Sequence, residues 1–268
     1  MLLLPLLLTT MLSLRQSLLN GGKAYGSLIM SNSPIVAEMM GEIGYDFLIV
    51  DHEHSPTGIE SGQALLQSLG RSRSEPIVRL PAHDTVYMKK LLDSMRLPGG
   101  VLVPMVDTPE QAQQVVESTR YPPEGKRGCA VPFVRASGWG MTDTPDYLQQ
   151  CNEELLVMVQ VETPLGVSNI PEIAAVDGVD LIFLGPVDLS ASIGKMFQFD
   201  DPQVQELIQE AEKKVRDAPN CMLGGFRPPG RSVQEMLDSG GYSLVAGSVD
   251  MGLLREAAKQ DWQGGKHQ

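Results

Sequence analysis

Short apolar runs recur along the chain, separated by stretches in which apolar positions return every three or four residues. The runs cover 25–30, 46–50, 76–80, 101–106, 155–161, 181–184, 222–226 and 242–246. They are rich in Val, Ile and Leu and too short for self-standing helices, so they read as buried parallel strands. Helical patterning marks 34–43, 58–69, 86–92, 109–119, 170–179, 204–215, 232–239 and 252–258. The 170–179 stretch, with Pro171 near its start, reads as the crossover between two strands. A further short helix, 14–19, precedes the first strand and is closed by Asn20-Gly21-Gly22. Strand–helix alternation repeated around the whole chain predicts an α/β fold, a TIM (β/α)8 barrel with a short N-terminal helix, rather than a doubly wound sheet.

No proline-rich linker or charge run divides residues 14–268, which read as a single domain. Residues 1–13 stand apart as an apolar leader. That leader is long enough for a signal-peptide core, too short to span a bilayer, and has no basic residue before Arg15. It reads as a disordered or surface-packed extension, with organellar targeting and a start at Met11 left open. One connection, 107–153, is oversized and contains YPPEGKRGCAVPFVRASGWG. A loop of that length in a compact domain is usually functional, so Arg127, Arg135 and Trp139 are expected either to roof the mouth of the barrel or to pack on a neighbouring subunit.

The chain has 268 residues and a formal net charge of −12. That balance argues against nucleic acid and anionic membranes as partners. Three scattered cysteines, Cys129, Cys151 and Cys221, show no paired or metal-ligand spacing, which predicts free thiols in a reducing compartment, the cytoplasm.

Charged residues gather where the predicted strands end. The second run leads into Asp51-His52-Glu53-His54, the third into Arg79, the fifth into Glu162, and Asp188 follows the sixth. Parallel strands in a barrel deliver such residues to one rim, where barrel enzymes keep their chemistry. Taken singly each has a structural reading: a lone histidine usually packs or is solvated, and Glu53 can orient a loop with Arg79 as its partner. Their concurrence points to a site. Glu162 and Asp188 suit a hard cation, Mg²⁺ or Mn²⁺ with Co²⁺ as a third candidate, better than structural zinc. Two protein oxygens leave room for a chelating 2-oxo acid, whose enolate the cation stabilises as a Lewis acid. In the turn Gly185, Pro186, Val187, Asp188, backbone N–H groups other than that of the proline can receive the substrate carboxylate. Arg79 suits the enolate oxygen and His54 a proton shuttle.

At these residues the chain resembles the HpcH/HpaI aldolase family of metal-dependent pyruvate aldolases. The matching stretches are YDFLIVDHEHSP, PIVRLPAHD, KKLLDS, VLVPMVDTPEQA, YPPEGKRG, RASGWG, VMVQVET, GVDLIFLGPVDLSASIG and GSVDMGLLREA. The resemblance implies a TIM barrel, cleavage of a 4-hydroxy-2-oxo acid to pyruvate and an aldehyde, and a homo-hexamer. It also implies Glu162 and Asp188 as metal ligands, Arg79 as the pyruvate-binding arginine and His54 as the acid/base. Gln160 and the Gly185 turn match substrate contacts, and Asp93 an aspartate that pairs with the histidine. The run Asp93-Ser94-Met95-Arg96-Leu97-Pro98-Gly99-Gly100 is longer than the family pattern and lacks its glycine two residues after the aspartate, so Asp93 is the transfer most open to correction. His52 occupies a position that varies in the family and is not expected to act. The alternatives are an oxo-acid decarboxylase or CoA-ester lyase using the same enolate, and a non-catalytic paralogue serving as an assembly subunit.

Overall fold

Runs of β-branched and leucine side chains that cannot be solvated on either face assemble into eight short strands. In the computed structural model, which describes residues 12–265, these are β1 (Ala24–Ile29), β2 (Phe47–Asp51), β3 (Glu75–Arg79), β4 (Gly99–Val103), β5 (Leu155–Val161), β6 (Leu181–Leu184), β7 (Met222–Phe226) and β8 (Leu244–Val249). Each pairs in parallel with the next and β8 closes on β1, giving a TIM barrel. The expected strands 155–161, 181–184 and 222–226 have the observed bounds, whereas β8 lies later than expected. The reading of residues 1–11 falls outside the described residues.

Alternate strand residues divide into two apolar layers. Leu28, Phe47, Ile49, Ile77, Leu102, Leu156, Met158 and Phe183 fill the barrel. Leu48, Val50, Val78, Val101, Val103 and Val159 face the surrounding helices. Those helices include α2 (Pro34–Ile43), α3 (Ile59–Leu69), α4 (Thr85–Ser94) and α5 (Pro109–Thr119).

The first helix, α1 (Leu14–Leu19), begins at Ser13, whose hydroxyl accepts from the Gln16 N–H while the Gln16 side chain accepts from the Ser13 N–H. It buries Leu14 and Leu18 in the inner layer, and Arg15 forks onto Asp180 at 2.8–3.0 Å. Asp180 directly precedes β6, so α1 stoppers the N-terminal end of the barrel.

The oversized connection is partly ordered: after a 3₁₀ turn over Val131–Phe133 comes α6 (Thr144–Glu153), an unexpected helix leading directly into β5. Only Tyr147 and Cys151 of α6 are buried, too short an apolar stripe to stand out. Because the connection joins the end of α5 to the start of β5, it lies at the stoppered rim. This corrects the expectation that Arg127, Arg135 and Trp139 roof the mouth. Arg127 is instead buried, donating to Asp93 at 3.0 Å and to the Tyr147 hydroxyl at 3.2 Å.

The crossover after β5 is two short helices, α7 (Pro164–Ser168) and α8 (Ile170–Ala174), rather than one. The turn after β6 begins another, α9 (Pro186–Ser192). The remaining helices are α10 (Pro202–Asp217), α11 (Val233–Asp238) and α12 (Asp250–Gly265). None of the described helices is long and apolar enough to cross a membrane.

Candidate active site

The inward phase of the strands continues past the apolar filling and becomes polar at the C-terminal end. Phe47 and Ile49 lead to Asp51, Ile77 to Arg79, and Leu156 and Met158 to Gln160 and Glu162. Asp51, Arg79, Gln160 and Glu162 are all buried. A strand one residue out of phase would turn them outward.

Asp51 and Arg79 are register partners on β2 and β3. Arg79 donates from Nε to Asp51 Oδ1 and from Nη2 to Oδ2, both at 2.8 Å. This planar fork fixes the guanidinium without need of any ligand. The same carboxylate accepts from the backbone N–H groups of Glu53 and His54 at 3.0 and 3.3 Å, so it also shapes the loop after β2. Arg79 Nη1 stands 3.0 Å from Glu53 Oε2, an ion pair without hydrogen-bond alignment. The Phe226 ring of β7 lies against the guanidinium, 5.4 Å from centroid to Cζ.

Across the mouth, Glu162 Oε1 accepts from the Met105 N–H at 2.8 Å. Met105 has a φ of 56°, and this left-handed conformation is part of how its N–H reaches the carboxylate. Gln160 Nε2 donates to Glu162 Oε2, leaving Gln160 Oε1 buried without a partner. A Cβ on Gly185 would sit 2.7 Å from Glu162 Oε2 and 3.1 Å from Gln160 Nε2, so glycine is what lets the chain pass this pair. Asp188 is exposed in the first turn of α9. Burial pushes the Glu162 carboxyl up to about 7 against the lowering effect of its two donors, and the charges of Asp188 and Glu53 add to the rise. Burial likewise pushes Glu53 up to about 7; Arg79 opposes this, while Asp51 and Asp188 reinforce it.

The donor set fits a hard divalent cation. Glu162 and Asp188 offer oxygen only, their charges repel, and an unpartnered amide oxygen lies beside them. Among the described residues no three His, Cys, Asp or Glu side chains are grouped to hold a metal, so waters or substrate oxygens would complete the shell.

His54 is at the mouth, its side chain 59% exposed, with Nε2 3.7 Å from Glu53 Oε2. His52, one residue past the inward-facing Asp51, faces outward. Its Nδ1 bonds the Tyr87 hydroxyl at 2.8 Å, its ring lies against Gly62, and burial lowers it to about 4, so it is a neutral packing residue. Within one chain Asp93 is not beside His54. It lies at the C-terminal end of α4, near the opposite rim, and is held by Arg127. The lengthened segment that follows α4 leads away from the mouth. Of the turn donors, the Gly185 N–H is committed to Val161 O at 3.3 Å, which corrects its expected availability to substrate. Val187 and Asp188 are the remaining backbone donors there. Sequence reading left Asp51 without a role, although its place at a strand end was the available signal.

A closed barrel with carboxylates and one clamped arginine at its mouth defines an α/β-barrel protein with an acidic site at the strand ends. The chain belongs to the HpcH/HpaI aldolase/citrate lyase family, whose model matches residues 25–257. It is 40% identical over 248 residues to a hydroxypyruvate/pyruvate aldolase of Deinococcus radiodurans, covering 91% of this chain and 86% of that protein. It is also 40% identical over 230 residues to a 5-keto-4-deoxy-D-glucarate aldolase of an Enterobacter species, covering 85% and 86%. The crystal structure of a family member from Burkholderia cenocepacia superposes with a TM-score of 0.87 at 33% identity, covering 94% of this chain and 98% of that one.

Proposed function

We propose that this protein is a divalent-cation-dependent aldolase that reversibly cleaves a 4-hydroxy-2-oxo acid to pyruvate and an aldehyde. Its relatives are carbon–carbon lyases of oxo acids, which supports an aldolase. The observation that carries the finer reading is the juxtaposition of Glu162, Asp188 and Glu53, whose charges act on one another, beside an arginine fixed in advance by Asp51.

Glu162 and Asp188 hold the cation, Mg²⁺ or Mn²⁺, which when bound supplies Lewis-acid stabilisation of charge on the keto oxygen. Arg79 turns its remaining N–H groups to that oxygen, and because Asp51 holds its plane, little reorganisation is needed as charge develops. The N–H groups of Val187 and Asp188 receive the substrate carboxylate. His54 Nε2 takes the proton of the 4-hydroxyl as the C3–C4 bond breaks. The bonding pair passes to the pyruvate enolate, the aldehyde leaves, and protonation at C3 gives pyruvate.

Glu162→Ala and Asp188→Ala are each expected to abolish cation-stimulated turnover while leaving the barrel folded. Unchanged turnover after Mn²⁺ is restored to metal-free buffer would sink the assignment. The family description also spans citrate lyase chemistry. Decarboxylase or CoA-ester lyase activity is separated by screening aldehydes with pyruvate, since only the aldolase condenses them.

A homo-oligomer, a hexamer by resemblance, belongs to the same proposal. Helix α12 buries only Asp250 and exposes Met251, Leu253 and Leu254, while Ile35, Met39 and Ile43 expose an apolar stripe on α2. The free cysteines fit a cytoplasmic setting.

A further inference from the structure

Four arginines line one cavity of about 490 Å³ at the stoppered end of the barrel, away from the mouth. Arg71 and Arg73 come from the link between α3 and β3. Arg96 comes from the lengthened segment between α4 and β4, and Arg135 from the oversized connection. Apart from Arg227, these are the arginines that form no ion pair among the described residues. In a chain of net charge −12, carboxylates are abundant, so leaving four guanidinium groups unpaired around one cavity is a departure from the rest of the surface. Glu75 is the sole acidic lining residue, and its Oε1 is engaged by the Leu14 N–H.

Two of the four are also held in place, while Arg71 and Arg73 are exposed. Arg135 donates from Nη1 to Ser94 O at 2.7 Å, and Arg96 lies against Gly138 with its guanidinium 5.8 Å from the Trp139 ring. Burial, then the neighbouring charge of Arg96, lowers Arg135 below the usual arginine value, the signature of cations held together without a counter-charge.

We propose that this cavity binds a small multivalent phosphate anion. A single carboxylate would neutralise one guanidinium. A diphosphate group offers several charges and acceptor oxygens in many directions, which suits guanidinium groups brought to one cavity by three separate connections. The volume suits a small metabolite, and the acidic remainder of the molecule disfavours a nucleic acid strand. The site is independent of the aldolase reading, since none of its residues belongs to the mouth.

Calorimetric titration of the full chain with sodium pyrophosphate tests it, with every cavity variant checked for an unchanged melting temperature and Arg79→Lys checked to be folded at the titration temperature. Saturable binding is expected. It should weaken at least tenfold in Arg96→Gln/Arg135→Gln and in Arg71→Gln/Arg73→Gln, and persist in Arg227→Gln and in Arg79→Lys. The Arg71/Arg73 pair lies in an exposed link, so it reports even if the other pair disturbs folding. Absence of saturable heat would overturn the proposal. So would binding lost in Arg79→Lys but kept in the cavity variants, which would place the anion at the mouth. A changed assembly mass in the cavity variants with pyrophosphate affinity intact would make the arginines a subunit contact instead, and would equally overturn it.

Discussion

Asp51 is completely buried, and four donors converge on its carboxylate: two from Arg79 and two from the backbone that follows. Asp51→Asn keeps the shape but leaves Arg79 with only the misaligned Glu53 as counter-charge. Breaking a buried pair on one side costs roughly 3–5 kcal/mol. Urea unfolding of this variant should show a loss of that order, with turnover falling together with it; an unchanged midpoint would mean that Glu53 alone suffices. Arg79→Lys should retain some substrate binding and lose most of its rate, because an ammonium cannot fork onto Asp51, and kinetics equal to the parent would remove Arg79 from the reaction. Gly185→Ala pushes a methyl into Glu162 and Gln160, and should weaken Mn²⁺ binding by roughly 10–100-fold without unfolding, measurable by Mn²⁺ titration. At this scale the sequence was informative about phase: charges that follow inward-facing apolar residues reach the mouth, and His52, out of phase, does not. The Asp51–Arg79 clamp was not readable, because it depends on the register of two strands distant in sequence. Nor was the fate of Asp93, which Arg127 decides from 34 positions further along the chain.

Helix α1 shows how little of an element's role its own residues disclose. Its six residues were visible as a helix, but their task as a stopper was not, since Asp180 and Glu75 join it from the starts of two distant strands. Leu18→Ala removes a side chain from the inner layer and should cost about 2–5 kcal/mol in urea while leaving turnover per folded molecule unchanged. A fall in turnover instead would couple the two ends of the barrel. Glu75 adds a pH dependence. Burial pushes its carboxyl from 4.5 up to about 7, although the Leu14 N–H bond works the other way. Its contribution to stability is therefore fully present below about 4.5 and fades as pH rises through about 7. Glu75→Gln keeps an acceptor for Leu14 without the charge, so the stability difference between variant and parent should grow in the variant's favour across that window. A flat difference would show that Glu75 is well solvated. Helix α6 escaped reading for the reverse reason: its surface is mostly polar, and packing rather than periodicity selects it.

For the molecule as a whole, alternation around the chain was enough to give the barrel, because eight buried runs with helical spacers have few other ways to hide both faces. What alternation does not supply is the disposition of α12, whose apolar positions find little cover within the chain. If the proposed oligomer forms through α12, Leu254→Asp should give a smaller species than the parent in sedimentation velocity. If the parent already sediments as a single chain, the oligomer is wrong. The ends of the barrel are divided in their duties, and the first described residues sit with the stopper. Leu12, the first of them, therefore stands at the end opposite the mouth. Exposed there, Leu12 is accordingly a natural attachment point for a surface label, clear of the site.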